Sequence, residues 1–294
     1  MKKTFGVIIA ITILSASFAY GAAKSTVVTN PPETGSEYYN LVIFGLDKRP
    51  HDKNGRSDVM MIIHCEPGRI TLFSIPRDTV VQIYKSKRDK INAAYSWGGI
   101  KLAKATLEHF LKFKIDNYII VDFQTFLTTI EVIKKLTNDG KLIGAENFLA
   151  SGENLLKWLR FRDLPAGDRR RGQRQQLFMK RIFEYTQNMY LHQPVLFSQC
   201  MKTALKIVDT DLTYEHAAQL FETYKNLDLE KNIERFVLPG YGKAYYESES
   251  ATAEATLTGW YYYAKYDWSL QTYLEWWRKN NIQMNYVEVD SLRK

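Results

Sequence analysis

Disulfide-forming and metal-ligating side chains are scarce in this sequence. Two cysteines, Cys65 and Cys200, and five scattered histidines stand among 294 residues, and none falls in a zinc-binding spacing. The cysteines make no metal site between them. Two readings stay open: one disulfide in an oxidising compartment, or a buried free thiol at Cys65, which sits in an apolar strand pattern. There is no internal repeat and no clean linker to mark a second domain. The length suits one substantial core, although two small domains would also fit. One further absence is local. Between Arg160 and Gln176 the chain reads RFRDLPAGDRRRGQRQQ, with six arginines and no lysine. A solvated charge run ordinarily mixes cations and signs, whereas guanidinium forks suit phosphate or carboxylate oxygens.

The periodicity around that run predicts a helix over Arg169–Tyr190, with Asp168 after Pro165-Ala166-Gly167 as its N-cap. Asp168, Arg171, Arg174 and Gln175 then share an arc of about 120° at the end where free backbone N–H groups favour an anion. Phe178, Met179 and Ile182 continue that side, which predicts burial against a sheet. An exposed basic loop followed by an ordinary amphipathic helix is the alternative.

The formal net charge of +8 favours anionic partners without choosing among nucleic acid, anionic lipid and a phosphorylated polymer. At the N-terminus, Lys2-Lys3 and the apolar run Phe5 to Ala19 form a secretory signal or an uncleaved membrane anchor over residues 1–24. Residues 25–37, with Pro31-Pro32 and Gly35, read as a tether. The folded part, residues 38–294, is therefore expected on the extracytoplasmic face, anchored at the membrane surface or secreted. Export and the acidic site candidates argue against nucleic acid.

Apolar runs at Tyr39–Phe44, Val59–Cys65 and Ile70–Ile75 predict strands. Pro67-Gly68 supplies a type II turn joining the last two as a hairpin. Their weak alternation implies that both sheet faces are covered. Asp78–Tyr84 reads as a short extended segment. Helices are expected over Ile100–Phe113, Phe126–Leu136, Gly152–Arg162, Gln199–Val208 and Thr213–Tyr224. Strands are expected at Tyr118–Asp122 and, on an edge, Glu234–Leu238. This order gives a layered α/β domain with a mixed sheet. Beyond Tyr241 the tyrosines and tryptophans fit a packed C-terminal layer, or a groove for sugar rings or an isoprenoid.

Charged islands fall at the strand ends: Asp47, then Arg56 and Asp58, then Arg77 and Asp78, then Lys90. Asp47 with Asp58 could seat one Mg²⁺, which accepts a few protein oxygens plus water and phosphate. The surrounding cations could neutralise adjacent phosphates. Taken singly, each island reads equally well as a turn acid, a local ion pair or a solvated lysine.

From Tyr39 to Gln176 the order of these segments resembles the LytR–CpsA–Psr family of bacterial cell-wall enzymes. The resemblance is carried by Asn40–Asp47, Gly55-Arg56-Ser57-Asp58, Ile75-Pro76-Arg77-Asp78-Thr79 and Lys90–Tyr95 with Gly98-Gly99. Ile115–Tyr118, Val121-Asp122-Phe123, Arg160-Phe161-Arg162 and the group Asp168, Arg171, Arg174, Gln175 complete it. The resemblance implies a single three-layer α/β/α domain with a central mixed sheet and a hydrophobic pocket for a polyprenyl chain. It implies transfer of a glycopolymer, such as teichoic acid or capsule, from an undecaprenyl-pyrophosphate carrier to peptidoglycan, releasing undecaprenyl phosphate. Asp47 and Asp58 match metal ligands for Mg²⁺, with Mn²⁺ an alternative. Arg56, Arg77, Lys90, Arg160, Arg162, Arg171 and Gln175, with Asp78 and Arg174 in the same motifs, match the pyrophosphate-binding group. Asp168 matches a catalytic acid, joined in the reaction by Arg77, Arg160, Arg162 and Arg171. The segment after Leu136 departs from the family pattern, lacking its glycine-glycine-valine. Hydrolysis of the same pyrophosphate and noncatalytic polyprenyl-lipid binding are the competing readings.

Overall fold

The structure is a computed structural model that describes residues 38–47, 55–137, 152–161, 167–247 and 256–280. The N-terminal segment and tether, and Arg162, lie outside these residues. In chain order the strands are β1 (Tyr39–Asp47), β2 (Arg56–Glu66), β3 (Arg69–Ile75), β4 (Val80–Gln82), β5 (Arg88–Lys90), β6 (Asn117–Val121), β7 (Asp209–Thr210), β8 (Ile233–Val237), β9 (Gly240–Glu247) and β10 (Thr256–Ala264). The helices are α1 (Ala93–Leu111), α2 (Phe123–Thr137), α3 (Gly152–Arg160), α4 (Gly167–His192), α5 (Pro194–Ile207), α6 (Tyr214–Tyr224), α7 (Leu229–Asn232) and α8 (Leu270–Lys279).

Six strands form a mixed sheet in the order β7-β6-β1-β2-β3-β8. The β2–β3 hairpin turns at Gly68, whose φ of +74° a side chain would strain. β6 runs parallel to β1, and β8 runs parallel to β3 on the edge. The carboxyl ends of β1, β3, β6 and β8 therefore point the same way, the end at which sheets of this kind bind ligands.

The uninterrupted apolar runs follow from cover on both faces. Leu41, Ile43, Met61, Ile63 and Leu72 join side chains of α2 to α6, among them Phe126, Leu159, Phe178 and Met201. Their neighbours Val42, Phe44, Ile62 and Phe73 face the other way, onto α1 and α8 through Leu107, Tyr273 and Trp277. Burying one such side chain contributes about 1.5–3 kcal/mol.

Two elements differ from expectation. The helix predicted from Ile100 begins about two turns earlier, at Ala93, and kinks at Gly98-Gly99, where Gly99 has a φ of +61°. The C-terminal aromatics split between the β9–β10 hairpin and α8, whose Leu270, Tyr273, Leu274 and Trp277 are buried. Both cysteines are buried and form no disulfide, and burial pushes the Cys65 thiol up to about 12. Among the described residues no helix is long and apolar enough to cross a membrane.

Candidate active site

Asp58 owes its position to an irregularity in the β1–β2 ladder. Gly45 faces Val59 and Leu46 faces Ser57, so the register passes over Asp58. Such a bulge re-aims a side chain and frees its backbone groups. The Asp58 carbonyl accepts a bond from Arg171 Nη2 at 3.4 Å, and its carboxylate meets Arg77 Nη1 at 2.5 Å. Asp47 ends β1 directly across from Arg56, which is exposed.

Arg77 is presented by the turn that Pro76 forces at the end of β3. Asn92 N–H donates to the Arg77 carbonyl at 3.3 Å, and Ile91 N–H to the Thr79 carbonyl at 2.8 Å. Asp78 bridges the cations, its carboxylate lying 3.4 Å from Arg77 Nε and 2.8 Å from Lys90 Nζ. Asp78 thus holds Arg77 and Lys90 together. Lys90 belongs to β5, and its Nζ lies 4.6 Å from the centre of the Tyr261 ring, a neighbour that no sequence signal near Lys90 announces.

Helix α4 closes the site from above. Phe178, Met179 and Ile182 are buried, as their spacing predicts, and Arg171, Arg174 and Gln175 at the helix start are buried too, where an open face was expected. Gln176, passed over in the sequence, fastens this helix to the sheet. Its Nε2 donates to the Leu72 carbonyl at 3.2 Å, Ser74 Oγ at 2.8 Å and the Phe236 carbonyl at 2.6 Å. A buried glutamine one place from Gln175 and three before Met179 was the available signal. Arg174 is directed differently from Arg171. Its Nη2 bonds the Phe161 carbonyl and its guanidinium lies 5.6 Å from the Phe161 ring, so it ties α3 to α4. Asp168 lies inside the first turn of α4, which starts at Gly167, rather than ahead of it as a cap. The N-terminal turn still favours its negative charge. Its side chain lies outside the described residues.

Asp58, Arg77, Arg171 and Gln175 line one cleft of ≈ 20 Å³, backed by Val59, Met60, Ile75 and Val237. Burial raises the Asp58 pKa above the usual carboxylate range. Arg77 and Arg171 oppose that shift, and the charge of Asp47 adds to it. Burial likewise lowers the Arg160 pKa, against the pull of Asp47 and Asp58. The field of both acids thus reaches the last turn of α3. Ser57 Oγ, Asn92 Oδ1 and Gln175 Nε2 are buried without a hydrogen-bond partner among the described residues. Such atoms are rare in a finished structure and common where a ligand or ion belongs.

A match to the LytR_cpsA_psr family spans residues 12–263. The chain belongs to the LytR–CpsA–Psr family. A curated relative in this family, the polyisoprenyl-teichoic acid–peptidoglycan teichoic acid transferase TagU of Bacillus anthracis, is 32% identical over 259 residues. That alignment covers 82% of this chain and 80% of the relative. The TagU of Bacillus subtilis strain 168 is 29% identical, over 74% of this chain and 76% of its own length. Among solved structures, B. subtilis TagV superposes with a TM-score of 0.61 at 23% identity, covering 83% of this chain and 95% of that one. TagT bound to LIIa-WTA superposes at 0.57 and 20% identity, covering 84% and 90%. At these identities the structural matches speak for the LytR–CpsA–Psr fold alone.

Proposed function

We infer that the chain is a glycopolymer transferase of the LytR–CpsA–Psr type, which moves a glycopolymer from a polyprenyl-pyrophosphate carrier onto peptidoglycan. The observation that carries the site assignment is the meeting of Asp58, Arg77 and Arg171 at the carboxyl ends of the strands, with Lys90 and Arg160 beside them. Teichoic acid, the polymer named for the TagU relatives, is the leading candidate for what is moved. The site would lie on the extracytoplasmic face, where carrier and wall meet.

The donor set suits Mg²⁺ or Mn²⁺. Asp47 and Asp58 lie close enough for one to shift the other, and Asp58 is buried with its pKa raised. Among the described residues no group of three or more His, Cys, Asp or Glu could form an all-protein cage. Two carboxylates with phosphate and water oxygens completing the shell is the usual arrangement for Mg²⁺. When bound, the metal supplies positive charge to the phosphate oxygens.

The chain's own residues do the rest. Arg77, Arg160, Arg162 and Arg171 hold the pyrophosphate and stabilise charge that grows on the departing phosphate. The contacts of Arg77 and Asp58 fill the cleft, so a phosphate would replace the Asp58 carboxylate as partner of Arg77. Val59, Met60, Ile75 and Val237 behind it favour an apolar continuation that receives the prenyl chain. Asp168, at the start of α4, orients the acceptor hydroxyl or takes its proton. The acceptor oxygen bonds to the sugar-linked phosphorus, the bridging P–O bond breaks, and polyprenyl phosphate leaves.

The test is incubation with a defined polyprenyl-pyrophosphoryl glycan, peptidoglycan and Mg²⁺, followed by product analysis. A covalent glycan–peptidoglycan product, lost in Asp58→Ala and Arg162→Ala, is expected. Undiminished transfer by both variants would refute the assignment, and carrier hydrolysis without attachment would make the protein a pyrophosphatase.

A further inference from the structure

A second cavity, of ≈ 500 Å³, lies between the β4–β5 hairpin, the C-terminal turn of α1 and the end of β10. That volume lies in the range of clefts that hold small ligands or one segment of a polymer. Its charge is one-sided, with Arg88, Lys112 and Lys265 set against the single carboxylate of Asp267. Lys112 is engaged, its Nζ lying 3.5 Å from Asp267 Oδ1. Lys265 lies over the Tyr266 ring at 5.1 Å. The Arg88 guanidinium makes no ion pair or hydrogen bond among the described residues.

The groove also presents aromatic faces. Tyr263 lines it and stacks on Tyr241, with ring centres 5.6 Å apart and planes at 21°. Tyr241 is 61% exposed. Strand geometry relates the groove to Lys90 rather than to the cleft lining itself. Arg88 and Lys90 are two residues apart on β5 and so share a face, about 7 Å from one another. Tyr261 and Tyr263 share a face of β10 in the same way. The pairing of Lys90 with Tyr261 is thus followed, one strand repeat further out, by Arg88 and Tyr263 in the groove.

We propose that this groove is a subsite for an anionic glycan strand whose sugars or polyols carry phosphate or carboxylate groups. The unpaired guanidinium and Lys265 take the anionic groups, and the tyrosine faces take the apolar C–H faces of the rings. Only the source of the strand rests on the transferase reading: it is either the polymer arriving on the carrier or the peptidoglycan that receives it.

Calorimetry with the full chain in detergent separates these sources. The two probes are a glycerol-phosphate oligomer and a soluble peptidoglycan glycan strand, with a short-chain prenyl pyrophosphate reporting on the cleft. Arg88→Glu is expected to weaken binding of one glycan probe by about tenfold or more, with Arg88→Lys restoring most of it. Prenyl-pyrophosphate affinity should change by clearly less than that, because Arg88 does not line that cleft. Loss confined to the glycerol-phosphate oligomer assigns the groove to the arriving polymer, and loss confined to the glycan strand assigns it to the acceptor. Unchanged affinity for both probes overturns the proposal, as does a charge effect seen only with phosphatidylglycerol vesicles. Failure of the wild type to bind prenyl pyrophosphate would count against the cleft reading and leave the groove result legible.

Discussion

Both ends of the central sheet set carboxylates against arginines, with different degrees of closure. At the end away from the cleft, Arg278 Nη2 lies 2.7 Å from Glu66 Oε1 and 2.9 Å from Glu234 Oε2. Arg69 Nη1 reaches Glu234 Oε1 at 3.2 Å, and Thr71 Oγ1 donates to Glu234 Oε2 at 3.0 Å. Two acids meet two arginines there. At the cleft, among the described residues, Asp47, Asp58 and Asp78 lie near Arg56, Arg77, Lys90, Arg160 and Arg171, three acids against five cations. Three buried polar atoms there also lack partners among the described residues. The first network, with two acids matched by two arginines, is a clamp holding α8 to the sheet. An unbalanced one with bonds still to make is a receptor for an anion.

The largest effect that would sharpen this contrast is expected from Arg77→Ala. It leaves the buried Asp58 carboxylate without its nearest cation, so transfer should fall by about a thousandfold. Stability at neutral pH should fall by about 3 kcal/mol, as in other broken buried pairs. Denaturant unfolding alongside polymer-attachment assays reads both. Arg278→Ala should lower stability by about 2 kcal/mol, a reduced figure because the network is partly exposed, while leaving transfer per folded molecule unchanged. A loss of transfer there beyond the loss of folded protein would break the comparison.

A smaller effect separates the two ends by the sign of their pH dependence. Burial holds the His64 pKa below its usual value, with Arg278 lowering it further and Glu66 and Glu234 opposing. The unfolded chain then binds the proton more readily, so stability should fall as pH drops below about 6.5. Asp58 behaves oppositely, because its folded pKa is raised. The folded chain holds that proton longer, so its stabilising contribution is lost as pH rises from about 3.8 through the folded value. Unfolding midpoints across pH should lose the first slope in His64→Gln and the second in Asp58→Asn. The smallest effect is expected for Tyr261→Leu, which removes the ring beneath Lys90. A change of about 0.5–1 kcal/mol should show as a few-fold rise in KM for the carrier substrate with kcat nearly intact.

How far these features were legible in the sequence follows from the range of the interactions. The β1, β2 and β3 runs, the Gly68 turn and the buried face of α4 are local patterns, readable from apolar spacing and turn residues. The start of α1 was hidden because Gly98-Gly99 interrupts the periodicity, yet glycine is what permits the kink. β5 has three residues and no apolar signal, so Lys90 read as part of a loop. The bulge at Asp58 is a property of two strands together. Arg278 meets Glu66 across 212 positions, a separation at which no spacing rule operates. The motif order from Asp47 to Gln175 contains Asp58, Arg77, Arg171 and Gln175, which line one cleft, but could not tell Arg171, which faces Asp58, from Arg174, which holds Phe161.

The most direct measurement pairs transfer with stability in Asp58→Asn at neutral pH. A receptor built around a buried acid with a raised pKa predicts that transfer falls by about a hundredfold or more while the unfolding midpoint holds or rises. Transfer at the wild-type rate, or a midpoint that falls in step with lost activity, would contradict the account.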